Sequence, residues 1–135
     1  MIAKTTVKKK RSNKEEQLQV AVSAYIRANY PDVIFTAESS GVRMNIGQAM
    51  KLKAQRSEGK LPDVMILEPN KEFAGLIMEL KAEDNSPYLK DGSLSADKHV
   101  LAQHKTLMHL SNKGHKALFV IGYKQAIETI DNYMK

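Results

Sequence analysis

The chain predicts an α/β domain, a mixed β-sheet with helices on its faces, in the order α-β-(α)-β-β-α-β-α. Three observations carry that prediction. Two short apolar runs, Val64-Met65-Ile66-Leu67 and Leu76-Ile77-Met78, are joined by the turn-forming Glu68-Pro69-Asn70-Lys71-Glu72, which reads as a hairpin. Lys116-Ala117-Leu118-Phe119-Val120-Ile121 is the most strand-like stretch of all. Between and around these runs, apolar residues recur at helical spacing.

Taken in order, 15–29 reads as a helix with Leu18, Val22 and Ile26 on one face, broken by Tyr30-Pro31-Asp32. The segment 33–37 is a short strand, Ser39-Ser40-Gly41 a turn, and 46–56 a helix on which Met50 and Ala54 continue one face. Strands over 63–67 and about 74–81 form the hairpin, and 82–97 is a long polar loop. A helix over 98–112 carries Val100, Leu107 and Leu110 and is capped by Gly114. The strand 116–121 follows, and the last helix, about 125–134, presents Ile127, Ile130 and Met134.

A chain of 135 residues suits one domain with a core of its own, and the absence of cysteine excludes disulfides and thiolate metal sites. No apolar run reaches the ~18 residues of a membrane span, nothing near the N-terminus resembles a signal peptide, and the cytoplasm is the expected compartment. The net charge of +6 is local: Lys4, Lys8, Lys9, Lys10, Arg11 and Lys14 all fall in the first fourteen residues. Without those six, 15 basic residues face 15 acidic ones. The expectation is a flexible basic tail over 1–14 and a single neutral domain over 15–135. Such a tail can neutralise nucleic-acid phosphates or simply stay solvated.

Function points to the strand tips. If paired residues of the hairpin sum to 142, Asp63 faces Glu79, Met65 faces Ile77 and Leu67 faces Gly75, which puts Lys81 on the Asp63 face. Two carboxylates ~4 Å apart repel by about 4 kcal/mol at an effective dielectric near ~20. The pair therefore shares a proton or binds a cation, and hard oxygen ligands suit Mg²⁺ or Mn²⁺. Lys81 is placed to orient water or to neutralise a phosphate. Pro31-Asp32 and Glu58-Gly59-Lys60 repeat the letters of this pattern without the strand-tip setting. His99, His104 and His109 recur every five residues, which scatters them around a helix, so a histidine–zinc site is not expected.

These residues resemble the PD-(D/E)XK nuclease superfamily, and within it the virus-type replication-repair nuclease (VRR-NUC) family. The likeness spans nearly all of 15–134. It includes Glu15 with Gln19, Tyr30-Pro31, Gly41-Val42-Arg43, Leu61-Pro62-Asp63, the run from Gly75 to Lys81, Gln103 and Gly114. Ser39-Ser40-Gly41 stands where the family often has Asn-Gly-Gly, and the loop 82–97 is long.

The resemblance implies a restriction-endonuclease-like core, Mg²⁺- or Mn²⁺-dependent cleavage of branched or junction DNA, 5′-phosphate products, and a homodimer with no organic cofactor. It implies that Asp63, Glu79, Glu15 and the Leu80 carbonyl hold the metal, that Lys81 is the catalytic lysine, and that Gln103 lines the site. Arg43 and the tail residues Lys8, Lys9, Lys10 and Arg11 are the expected DNA contacts. The rival expectations are a DNA-binding module that keeps the fold without catalysis, and an assembly subunit whose acidic hairpin pairs with a basic partner.

Overall fold

The computed structural model describes residues 13–37, 45–57 and 60–135. Among the described residues, four strands form one sheet in the order β1-β2-β3-β4: β1 (Phe35–Ala37), β2 (Val64–Ile66), β3 (Leu76–Lys81) and β4 (Lys116–Ile121). The first two pairings are antiparallel and β3–β4 is parallel, so α3 (Lys98–Asn112) is the crossover connecting parallel neighbours. The remaining helices are α1 (Asn13–Asn29), α2 (Ile46–Ala54) and α4 (Gly122–Met134). The predicted α/β class and element order are the observed ones.

The sheet separates two apolar layers. On one face Leu76, Met78 and Leu80 of β3 join Val64, Ile66 and Val120 against Leu18, Val22 and Ile26 of α1 and Ala126, Ile130 and Tyr133 of α4. On the other, Ile77 and Phe119 pack on Leu107 of α3, with Met65, Val100 and Leu110 at the margin. Strand alternation dictates this division. Because β3 is central, all six of its residues are buried.

The hairpin register is the predicted one: Val64 pairs with Met78, Met65 with Ile77 and Ile66 with Leu76. Helix α3 begins at Asp97, whose carboxylate accepts from the backbone N–H of His99 and Val100, and it ends in a Schellman motif. There His115 N–H bonds Leu110 C=O, Gly114 N–H bonds Ser111 C=O, and Gly114 takes φ +99°.

Some boundaries shift. Lys14, expected in the tail, lies in the first turn of α1 and pairs with Asp84. Helix α2 ends at Ala54, short of Arg56, and its Met50–Ala54 face covers no core: none of its residues is buried. A capping box between Asn45 and Gln48 starts it, so its local signals agree with its fold while its apolar spacing found no layer to join. The long loop is less open than its composition suggests, for Pro87 is fully buried and Tyr88 bridges Leu94. Among the described residues no helix is long and apolar enough to cross a membrane.

Candidate metal and catalytic site

The C-terminal tip of β3 is where a hydrophobic strand turns charged. Ile77, Glu79 and Lys81 alternate onto one face, and Phe119 of β4 pairs beside Glu79. Asp63 immediately precedes β2, and the hairpin register carries it opposite Glu79. Burial then makes the arrangement unusual: Asp63, Glu79 and Lys81 are only 6%, 7% and 4% exposed. Charged residues are rarely buried to this extent unless paired.

The backbone aims the acids. Asp63 Oδ2 accepts from the Leu80 N–H at 2.8 Å, and Gln19 of α1 donates its amide to the Asp63 carbonyl at 3.2 Å. Glu15, one turn earlier on α1, reaches over the strand end, where its Oε2 accepts from Asn85 Nδ2 at 2.9 Å and from Ala82 N–H at 3.4 Å. Lys81 Nζ stands 5.9 Å from the centre of the Phe119 ring.

The charges of this strand tip act on Glu79 most strongly. Burial pushes the Glu79 carboxyl far above the usual carboxylate range, and a hydrogen bond with Asp63 and its charge push the same way. The Lys81 ammonium opposes that shift, and Glu15 adds a weaker repulsion. Without a cation, Glu79 keeps its proton well above the ordinary carboxylate range.

Two carboxylates buried side by side form a hard-oxygen donor set matched to a small divalent cation. The residues present fit such an ion in part from the protein and in part from solvent or substrate. Among the described residues, no three acidic or imidazole side chains close on one point. Glu15 is already engaged by Ala82 and Asn85, which suits contact through water better than direct ligation.

Gln103 lies on the same side of the sheet, one helical turn before the buried Leu107. Its Nε2 is 3.2 Å from His99 Nε2, and its Oε1 is buried and meets no hydrogen-bond partner among the described residues. Of the residues expected at the site, Glu15, Asp63, Glu79, Lys81 and Gln103 are thus brought to one end of the sheet. The Leu80 carbonyl belongs to the same strand tip. Arg43, Lys8, Lys9, Lys10 and Arg11 lie outside the described residues.

Sequence reasoning missed Asn85 and His99 as parts of this constellation, and named Gln19 beside Glu15 without a role in the site. Only His99 left a usable signal, since it precedes Gln103 by four residues on one helix.

Comparison with protein families found no match, and no curated protein matches the chain. Among solved structures, one described as a VRR_NUC domain protein matches with a TM-score of 0.63 and 19% identity, covering 90% of this chain and 88% of that one. The chain therefore has the fold of a VRR_NUC domain, in agreement with the resemblance seen in its sequence.

Proposed function

We propose that this VRR_NUC-like fold is a metal-dependent deoxyribonuclease, acting on branched or junction DNA as a homodimer. The observation that carries the reading is the buried pair of Asp63 and Glu79 with Lys81 beside it, at adjacent strand tips. A structural role alone gives no reason to bury two acids together, because that arrangement weakens a domain unless a cation joins them. Asp63 and Glu79 would hold Mg²⁺ or Mn²⁺, with the Leu80 carbonyl and, through water, Glu15 as further ligands. Bound there, the ion supplies Lewis acidity toward a phosphodiester and eases deprotonation of water.

The side chains supply the rest. Lys81, buried and kept short of solvent, places positive charge where the phosphoryl oxygens become more negative. Leu80 N–H and Gln19 hold Asp63 in one orientation, which keeps the donor set preorganised. Arg43 and the basic residues Lys8, Lys9, Lys10 and Arg11 grip the phosphate backbone. Such contacts carry little sequence information, so recognition is of shape or branch.

The test uses plasmid, fork and four-way junction DNA with Mg²⁺, Mn²⁺ or EDTA, beside Asp63→Ala and Lys81→Ala. Cleavage by the wild type in metal is expected, with both variants binding DNA and failing to cut. Salt-sensitive binding without metal-dependent cleavage would leave a DNA-binding module. Equal nicking by all three proteins would remove the enzyme altogether.

A further inference from the structure

Helix α3 carries a polar pair that the acid site does not explain. His99 and Gln103 are four residues apart, and their Nε2 atoms approach to 3.2 Å. An amide nitrogen can only donate, so His99 Nε2 must be the acceptor, with its ring proton on Nδ1. The other end, Oε1, is buried and meets no donor among the described residues. A buried acceptor left unmet marks a place where a donor arrives from outside the chain.

Its location follows from the topology. Helix α3 connects β3 to the parallel β4, so its first turns stand at the end of the sheet where β3 finishes in Glu79 and Lys81. Gln103 lies one turn before Leu107, which packs on Ile77 and Phe119 of that same sheet face.

We propose that His99 is a positioning residue: by accepting from Gln103 Nε2 it turns the Gln103 oxygen, not the NH₂ group, toward the Asp63–Glu79–Lys81 site. There Oε1 accepts a hydrogen bond from the attacking water. The consequence for cleavage rests on the nuclease reading; the tautomer and the amide orientation do not.

The surroundings favour the neutral ring. Burial, Lys81 from β3 and Lys60 ahead of β2 lower the His99 pKa, against the weaker pull of Asp97 at the helix start and Glu15 of α1. Protonation would set a donor against the amide NH₂. The amide would then rotate, and its NH₂ would face the site in place of oxygen.

The first measurement needs no metal. Long-range ¹H–¹⁵N spectra of the full chain should show the Nδ1–H tautomer of His99 above its pKa, and the Gln103 side-chain amide shifting at the same midpoint. The second compares kcat and KM for junction DNA in Mg²⁺ across acid to alkaline pH. His99→Ala should lower kcat about tenfold, the worth of one hydrogen bond, with KM within about twofold. His99→Gln, whose amide oxygen can accept in place of Nε2 without titrating, should restore kcat and flatten the acid limb. An Nε2–H tautomer, or a Gln103 amide indifferent to His99 protonation, overturns the proposal. So does wild-type kcat in His99→Ala. Should the wild type cut no DNA in any metal, the nuclease reading fails, and the spectra still decide how His99 and Gln103 are arranged.

Discussion

Along β3, Leu76, Met78 and Leu80 enter the layer made by α1 and α4, whereas Ile77, Glu79 and Lys81 face α3. Burial does not tell the two sides apart: Met78 is 0% exposed and Glu79 only 7%. Chemistry does. One side removes apolar surface from water and stabilises the fold, at about 25 cal/mol per Å². The other holds two acids and an ammonium away from water, which costs stability unless a ligand compensates. A strand with uniform burial can thus carry a scaffold on one face and a reactive site on the other.

The largest effect expected from breaking this comparison is on the charged side. Lys81→Met keeps an unbranched stem over Phe119 and removes the ammonium. Cleavage should fall by about 10²–10³-fold or more, while the metal-free melting temperature holds or rises. A variant that instead unfolds would make Lys81 a structural residue.

The matching change on the apolar side is Ile26→Ala in α1, a residue with no exposed surface. Loss of about 2–5 kcal/mol is expected by urea unfolding, from lost burial and the cavity left behind. Cleavage per folded molecule should stay within about threefold of wild type, against the ~10²-fold loss expected for site residues. A loss of cleavage as large as that of Lys81→Met would mean that the two faces are not separable.

A third change sharpens the electrostatics. The Glu79 carboxyl has its folded pKa raised above the unfolded value, chiefly by burial and then by Asp63. The folded state therefore keeps a proton that the unfolded chain releases above about pH 4. Stability from this group is full below that pH and declines as pH rises toward the folded pKa, by up to about 1.4 kcal/mol per pH unit. In EDTA the urea midpoint of the wild type should fall between pH 6 and 8, and that of Glu79→Gln should not. Glu79→Gln should also be more stable by about 1–3 kcal/mol at pH 8 without metal, and should lose any stabilisation by Mg²⁺. A flat wild-type profile would deny that Glu79 keeps its proton.

Much of this division was legible in the sequence. The segments 98–112 and 116–121 formed with the limits their pattern predicts, because Asp97, Gly114 and strong periodicity mark both ends. The hairpin register is the one given by a turn about Lys71, with paired residues summing to 142 and apolar faces away from the tips. What stayed hidden depends on contacts between distant segments. Gln19 meets Asp63 across 44 residues and Glu15 meets Asn85 across 70, and no local pattern encodes such a meeting. Helix α2 shows the converse, for Ile46 and Met50 have helical spacing yet remain 80% and 66% exposed. Periodicity states that a face exists without stating what covers it.

The smallest effect concerns a carboxylate of opposite behaviour at the seam of α1 and α4. Asp131 accepts from Tyr30 at 2.6 Å and from Tyr25 at 2.8 Å, and these hydroxyls, Tyr30 first, hold its pKa below the ordinary value. Tyr30 is correspondingly pushed up to about 12, mainly by the same bond. A depressed acid stabilises the fold above its unfolded pKa, near ~4, and loses that contribution as pH falls. A raised phenol contributes fully below ~10 and loses its part as pH climbs toward the folded value. Asp131→Asn should therefore lower the melting temperature slightly at pH 7, matter less as pH falls below ~4, and leave metal-dependent cleavage untouched. Glu79→Gln moves stability in the other direction at neutral pH, so the two variants titrate with opposite sign in one chain. If both lowered stability at pH 8 in EDTA, Glu79 would be a bonded structural acid like Asp131, and the distinction between the two faces of β3 would lose its energetic basis.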